Sequence, residues 1–279
     1  MDQQRLQELR ADVIARKNLP TIPTVLAKIV QLADGETSNA RQLVEVVEHD
    51  QALTGKILRL ANSAFFGQSR RVATIPRAVV LLGFATVRNL ALGVKVWETL
   101  GTGIARSRLQ KLWGHSVTVA VAAKTLVSRL RAGNPDEAFT GGLLHDIGRL
   151  MLAMRFRDEY WQVVDGVGGD AIHRVESSTF GVDHAEVGAW MLEAWSLPPG
   201  IVEAVRWHHE GTSRPGVLGI VALTNRLLAY TDLETGALRD ESAVLQPQMD
   251  ERGLTHELWE GVISGLQESE ILSLGRLGG

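Results

Sequence analysis

The chain has 279 residues, 45% hydrophobic and 22% charged, with a formal net charge of −3; that is enough for one large domain or two modest ones, and too little positive charge for a nucleic-acid-binding surface. It contains no cysteine, which excludes disulfides, thiolate zinc sites and thiol nucleophiles and leaves any metal site to histidine, aspartate and glutamate. No apolar run approaches the roughly 20 residues of a membrane span, and the opening MDQQRLQELRADVIARKNLP is too polar and mixed in charge for a secretion signal, so no membrane association and a cytoplasmic location are expected.

Helical periodicity dominates from about residue 20 onward. PTVLAKIVQLA puts Val25, Leu26, Ile29, Val30 and Ala33 on one stripe, with Pro23 suited to a first turn. ARQLVEVVEHD is a second amphipathic piece, and DQALTGKILRLANSAFF a third with Asp50 as its N-cap. In ANSAFFG, Asn62, Ser63, Phe65 and Phe66 read as a helix end with aromatic packing. Arg70, Arg71 and Arg77 read as a solvated basic face. TIPRAVVLLG has Thr74 as cap, Pro76 in the first turn and Gly83 at its end; FATVRNLALGVKVWETL follows.

The segment GTGIARSR, residues 101–108, reads as a break. Beyond it lies the longer helix SRLQKLWGHSVTVAVAAKTLVSRL, then a turn with Asn134 as cap and Pro135 at the first helical position. A single helix is expected to carry GGLLHDIGRLMLAM. GVDHAEVGAWMLEAW opens at Asp183, with Glu186 at capping-box spacing. LPPGIVEAVRWHHE, RPGVLGIVALTNRLLAY and HELWEGVISGLQESEILSLG supply further helices, the last a closing piece. With little period-2 alternation anywhere, the expected fold is all-α.

Six of the eight histidines fall between residues 115 and 209. His115, His145, His184, His208 and His209 each lie in a segment read as a helix with an apolar stripe, so they can meet in one core, where bundles commonly build metal sites. His145 is followed by Asp146, and glycines on both sides permit close backbone approach. Imidazole and carboxylate together suit Mn, Fe, Ni or Zn, and a metal with an open position activates water against a phosphoryl group. The alternative for any one histidine is a hydrogen-bonded core residue, the reading given to His49, His173 and His256. Trp190 and Trp195 read as core, and Trp113 as either core or pocket mouth.

LWGHSVTVAVAAKTL, FTGGLLHDIGRLML and FGVDHAEVGAWMLEAWSLPPGIVEAVRWHHE together resemble the HD superfamily of metal-dependent phosphohydrolases, and more closely the HDOD family of signalling domains. LPTIPTVLAKIVQL, HDQALTGKILRLANSAFFG and IPRAVVLLGFATVRNLAL resemble the HDOD N-terminal region, so the likeness covers about residues 18–230. It implies an N-terminal short-helix bundle over 18–100, packed on an HD-like bundle over 105–230, with closing helices over 231–279. In active HD enzymes a His, the His–Asp pair and a later Asp hold metal. By resemblance, His115, His145 and Asp146 match, while the later Asp is matched by Asn225, with Asp232 as second choice. An amide can lend oxygen but removes one negative charge, which weakens a divalent ion.

In the related HD-GYP cyclic-di-GMP phosphodiesterases further histidines serve a second metal, and His184, His208 and His209 match them. Those enzymes continue into Gly-Tyr-Pro and have a lysine after HDIG; this chain reads HHEGTSRPGVLG and has Arg149. The resemblance therefore implies a non-catalytic signal-transduction module with a degenerate pocket, acting on a signalling protein in trans. A divalent metal (Mn, Fe, Ni or Mg) would bind weakly or not at all, and a nucleotide is a possible ligand. Two alternatives stay open: an HD-type phosphohydrolase on a nucleotide or cyclic dinucleotide, and a sensor that binds without turnover.

Overall fold

The computed structural model describes residues 7–8, 10–11, 24–32, 37–62, 72–168, 171–233, 235 and 237–268. Among them the fold is all-α, with one isolated antiparallel bridge, Thr231 to Leu238. Pro23, Ala33, Ser63, Phe65, Phe66, Arg70 and Arg71 lie outside the described residues.

The first helices are α1 (Thr24–Gln31), α2 (Thr37–Glu48), α3 (Gln51–Ala61), α4 (Ile75–Leu82) and α5 (Phe84–Leu100). Their caps follow the sequence. Asp50 Oδ1 accepts from Leu53 N at 3.0 Å, Thr74 Oγ1 accepts from Arg77 N, and Gly83 ends α4 at φ 87°, a conformation that favours glycine. Asn62 closes α3 by pairing with Val72: its amide donates to Val72 O and accepts from Val72 N, both at 2.7 Å. Helices α1, α3 and α4 all pack on α5, and Lys95 of α5 reaches Asp50 and Glu98, each at 2.6 Å.

A turn over 101–105 leads to α6 (Arg106–Leu130), the central helix. Against it pack α7 (Pro135–Leu144), α13 (Gly216–Ala229) and α15 (His256–Glu268). Around these lie α8 (Ile147–Phe156), α9 (Asp158–Val164), α10 (Ile172–Phe180), α11 (His184–Ala194), α12 (Pro199–Arg206) and α14 (Gln246–Glu251). Helix α5 packs on α7 and α8, so the early helices rest on the segment that carries His145. The indole of Trp97 donates to Leu143 O at 3.2 Å, two residues before that histidine. The closing helix is anchored by Trp259, fully buried, whose Nε1 donates to Thr231 Oγ1 at 3.1 Å.

Two local expectations are corrected. The stretch GGLLHDIGRL is two helices, because the backbone leaves helical geometry at Asp146 (φ −96°, ψ 6°) and α8 restarts at Ile147. The capping box at Asp183 is half made: Asp183 Oδ1 accepts from Glu186 N at 3.0 Å, but Glu186 turns to Trp190 Nε1 and Arg206 Nε. Trp113, read as core or pocket mouth, is half-buried and packs edge-on against Trp97, ring centroids 5.5 Å apart.

Candidate metal centre

The break between α7 and α8 aims the His145–Asp146 pair into the bundle. Gly142 lets α7 lie on the backbone of α6: a Cβ there would meet Ala120 Cα at 2.7 Å. Gly148 lets α8 lie on the start of α11: a Cβ there would meet His184 O at 1.9 Å. The flanking glycines thus give the close approach expected of them, and they set two ligand-bearing elements against the pair.

The histidines arrive from different kinds of position. His115 sits within α6 and His184 is the first residue of α11. His145 caps α7, and His208 and His209 lie in the turn after α12, which corrects the expectation that all five sit on helices. They converge nonetheless. The Asp146 Oδ1 atom lies 3.1 Å from His184 Nε2, 3.6 Å from His145 Nε2 and 3.9 Å from His208 Nε2. His184 Nε2 is 2.9 Å from His209 Nε2 and 3.2 Å from His208 Nε2. Asn225, on α13, puts Oδ1 3.0 Å from His115 Nε2. All seven residues singled out in the sequence stand in one cluster, and Asp232, whose Oδ1 accepts from Thr235 N, takes no part in lining it.

Two groups within this cluster bring ligand atoms within 4.8 Å of one another: His115, His145 and Asp146; and His184, His208 and His209. The hydrogen bonds on the far side of the rings fix which nitrogen faces inward. His145 Nδ1 donates to Gly142 O at 2.7 Å and His208 Nδ1 to Val205 O at 2.6 Å. A carbonyl can only accept, so in the neutral rings Nε2 carries the lone pair. His145 Nε2 is buried and has no hydrogen-bond partner. A bare, buried, inward-facing nitrogen backed by an outer hydrogen bond is how a metal ligand is prepared, and the donor set fits a divalent ion.

A closed polar circuit surrounds the cluster. Arg149 Nη1 donates to Asp146 Oδ2 at 3.3 Å, and Arg149 Nε donates to Tyr160 Oη at 3.2 Å. Tyr160 Oη donates to Glu176 Oε1 at 2.8 Å. Glu176 Oε2 accepts from His184 N at 2.9 Å and from His184 Nδ1 at 2.5 Å. His184 then returns to Asp146. Burial pulls the imidazoles toward neutrality, taking His145 down to about 4 and His208 well below its usual range. Burial also opposes the charge on His184, but Glu176 and Asp146 outweigh it and push that ring up to about 10. Asp146 stays ionised against burial because His145, Arg149 and His184 hold it well below the usual carboxylate range.

Glu176 and Tyr160 escaped the sequence reading. A signal for Glu176 exists: Ile172, Glu176 and Phe180 are the buried stripe of α10, and a carboxylate on such a stripe needs a buried partner. His173 keeps a packing role, stacking on His209 with centroids 4.1 Å apart. His49 and His256 bond Glu45 O and Gln246 Oε1 away from the cluster. The opening onto the cluster is lined by His115, Asp146, Arg149, His184, His209 and Asn225, among others, and encloses about 50 Å³. That is room for ions and a few waters.

The HDOD domain family model matches residues 19–211. An uncharacterized protein of Treponema pallidum is 24% identical over 245 residues, covering 84% of this chain and 47% of the relative. The chain therefore spans about half the length of that curated relative. A crystal structure from Shewanella amazonensis, provisionally named a phosphohydrolase, is 24% identical with TM-score 0.74, covering 98% of this chain and 97% of that one. An HDOD domain protein of unknown function from Geobacter sulfurreducens is 24% identical with TM-score 0.70, covering 97% of each. These structures share the fold. Among the described residues no helix is long and apolar enough to cross a membrane.

Proposed function

The chain belongs to the HDOD domain family, and on that premise we propose that it is a non-catalytic signal-transduction module that acts through a protein partner. Its HD pocket binds a divalent ion weakly or holds itself together by its own hydrogen bonds, and does not turn over substrate. The observation that carries this reading is the contact of Asn225 Oδ1 with His115 Nε2 at 3.0 Å. A neutral amide stands where the resemblance calls for a carboxylate, and it occupies the ligand nitrogen of His115. A metal bound in such a pocket would supply an activated water; this chain's residues oppose the next steps. Arg149 lines the opening but is engaged by Asp146 and Tyr160, and its larger planar fork does not set the point charge of a lysine on a phosphate. The opening of about 50 Å³ is well below the roughly 300–1,000 Å³ of ordinary small-molecule sites.

The hydrolase reading draws support from His115, His145 and Asp146, and from His184, His208 and His209, two groups whose candidate ligand atoms lie within 4.8 Å of one another. The test separates the two. Full-length protein loaded with Mn²⁺ or Fe²⁺ is incubated with cyclic dinucleotides and nucleoside phosphates, and product is followed by chromatography. No product above the metal-only control is expected. Turnover on the order of 1–10 per second, ordinary for an enzyme, overturns the proposal.

A further inference from the structure

We propose that Glu176 is a positioning residue that makes His184, His208 and His209, with Asp146 as fourth donor, the half of the pocket that takes a metal. The site is a single nitrogen-rich one for a first-row divalent ion such as zinc, cobalt or nickel, filled in preference to the His115–His145 half. The inference needs the pocket to hold metal; it does not need turnover to be absent.

Spacing is the first support. Donors bonded to one ion at about 2.0–2.1 Å stand about 2.9–3.4 Å apart between octahedral and tetrahedral angles. The three contacts of His184 Nε2, to His209 at 2.9 Å, to Asp146 at 3.1 Å and to His208 at 3.2 Å, fall in that range, while His208 Nε2 and Asp146 Oδ1, at 3.9 Å, must close by about 0.5 Å to share the ion. The second support is the fixed tautomers. With Nδ1 of His184 and His208 given to Glu176 and Val205 O, two lone pairs face each other across 3.2 Å. The pair is relieved by an added proton, by the Nε2–H of His209 2.9 Å from His184 Nε2, or by a metal.

The third support is asymmetry. His115 Nε2 is already engaged by Asn225, whereas in the imidazole trio the contacts of Nε2 are other ligands. Glu176 belongs to the trio alone. It is fully buried, and it grips both the backbone and the ring of His184. A carboxylate behind a ligating histidine fixes the ring and raises its basicity. Three imidazoles and one carboxylate suit borderline ions over Mg²⁺ or Ca²⁺, which seek oxygen.

The test uses the full chain, stripped of metal and titrated with Co²⁺, with stoichiometry from elemental analysis and the visible cobalt bands as signature of imidazole coordination. One equivalent is expected, abolished by His184→Ala. Glu176→Gln should weaken Co²⁺ about 10–100-fold and shift the bands. His115→Ala should change the Kd less than about threefold. Tyr160→Phe removes a hydrogen bond to Glu176 without touching the histidine, so it controls for packing and should also stay within about threefold. If Glu176→Gln does not fold, Glu176→Asp keeps the charge at shorter reach and should weaken binding about tenfold.

The proposal is overturned by any of four results. These are no Co²⁺ binding, unchanged affinity in the Glu176 variants, an equal loss in Tyr160→Phe, or loss of the same equivalent on His115→Ala. An absence of metal overturns this inference and leaves the regulatory reading standing. Turnover with metal on the trio does the reverse.

Discussion

Replacing Gly148 by alanine should damage stability and the metal pocket together. The added Cβ would lie 1.9 Å from His184 O, 2.7 Å from Gly188 N and 2.8 Å from His184 C. Carbon makes ordinary contacts at about 3.5–4.0 Å, so α8 and the start of α11 must separate by more than about 1 Å. All three atoms are backbone, and no rotamer change relieves the clash. Overpacking typically costs about 1–3 kcal/mol and more where the backbone must move, so a loss of about 3 kcal/mol is expected. At about 2–4 °C per kcal/mol for a chain of this size, Tm should fall by about 6–12 °C. The displaced residue is His184, so Co²⁺ binding should fall in the same variant. The control is Gly265→Ala in α15, where a Cβ meets nothing within 4 Å; it should be neutral or gain up to about 1 kcal/mol. Thermal unfolding followed by circular dichroism decides the matter. A Gly148→Ala protein melting within about 2 °C of the parent would show that the crossing of α8 and α11 is looser than the geometry requires.

Asn225→Asp restores a carboxylate beside His115 and should add a second equivalent of Mn²⁺ by elemental analysis; unchanged stoichiometry would mean that charge is not what the first half lacks. Trp259→Ala should cost about 3–5 kcal/mol in urea unfolding, since the indole is fully buried and bonded to Thr231; a smaller loss would detach α15 from the core. The Lys95 hydrogen bond, then the Leu53 N–H, hold the Asp50 carboxylate below its ordinary value. Stability from that shift is present above the unfolded value of about 3.9 and is lost as pH falls through the lower folded value. Lys95→Met should therefore flatten the acid limb of the stability curve, and parallel limbs in the two proteins would refute the role of the pair.

The fold is legible in the sequence where one residue type at a recognisable spacing settles the geometry. Asp50, Thr74, Asn134 and Asp183 cap the helices expected of them because a short oxygen-bearing side chain before an apolar run has few other uses. The glycines around His145 and Asp146 were legible for the same reason: only their lack of a Cβ distinguishes them. The helix break at Asp146 was not legible. Leu143 to Leu152 keeps an apolar rhythm through the interruption, and the restart at Ile147 is imposed by packing on α5 and α11. Tertiary contact also decided that His208 and His209 leave α12 before they act, since a turn frees two adjacent rings to face one centre, which one helix face does not.

Glu176 lies at the limit of this kind of reading. Its position on the stripe with Ile172 and Phe180 marks it as buried, and burial of a carboxylate demands a compensating donor. The sequence does not say which donor, because His184 is on another helix and Tyr160 on a third. What converts a list of histidines into a directed site is the set of atoms behind the rings: Gly142 O, Val205 O and Glu176 Oε2. Those partners choose the tautomer, and the tautomer decides whether a nitrogen offers a lone pair or a proton to the centre. Ligand identity was therefore readable one residue at a time, while ligand readiness depends on backbone carbonyls and one remote acid that only the folded chain assembles.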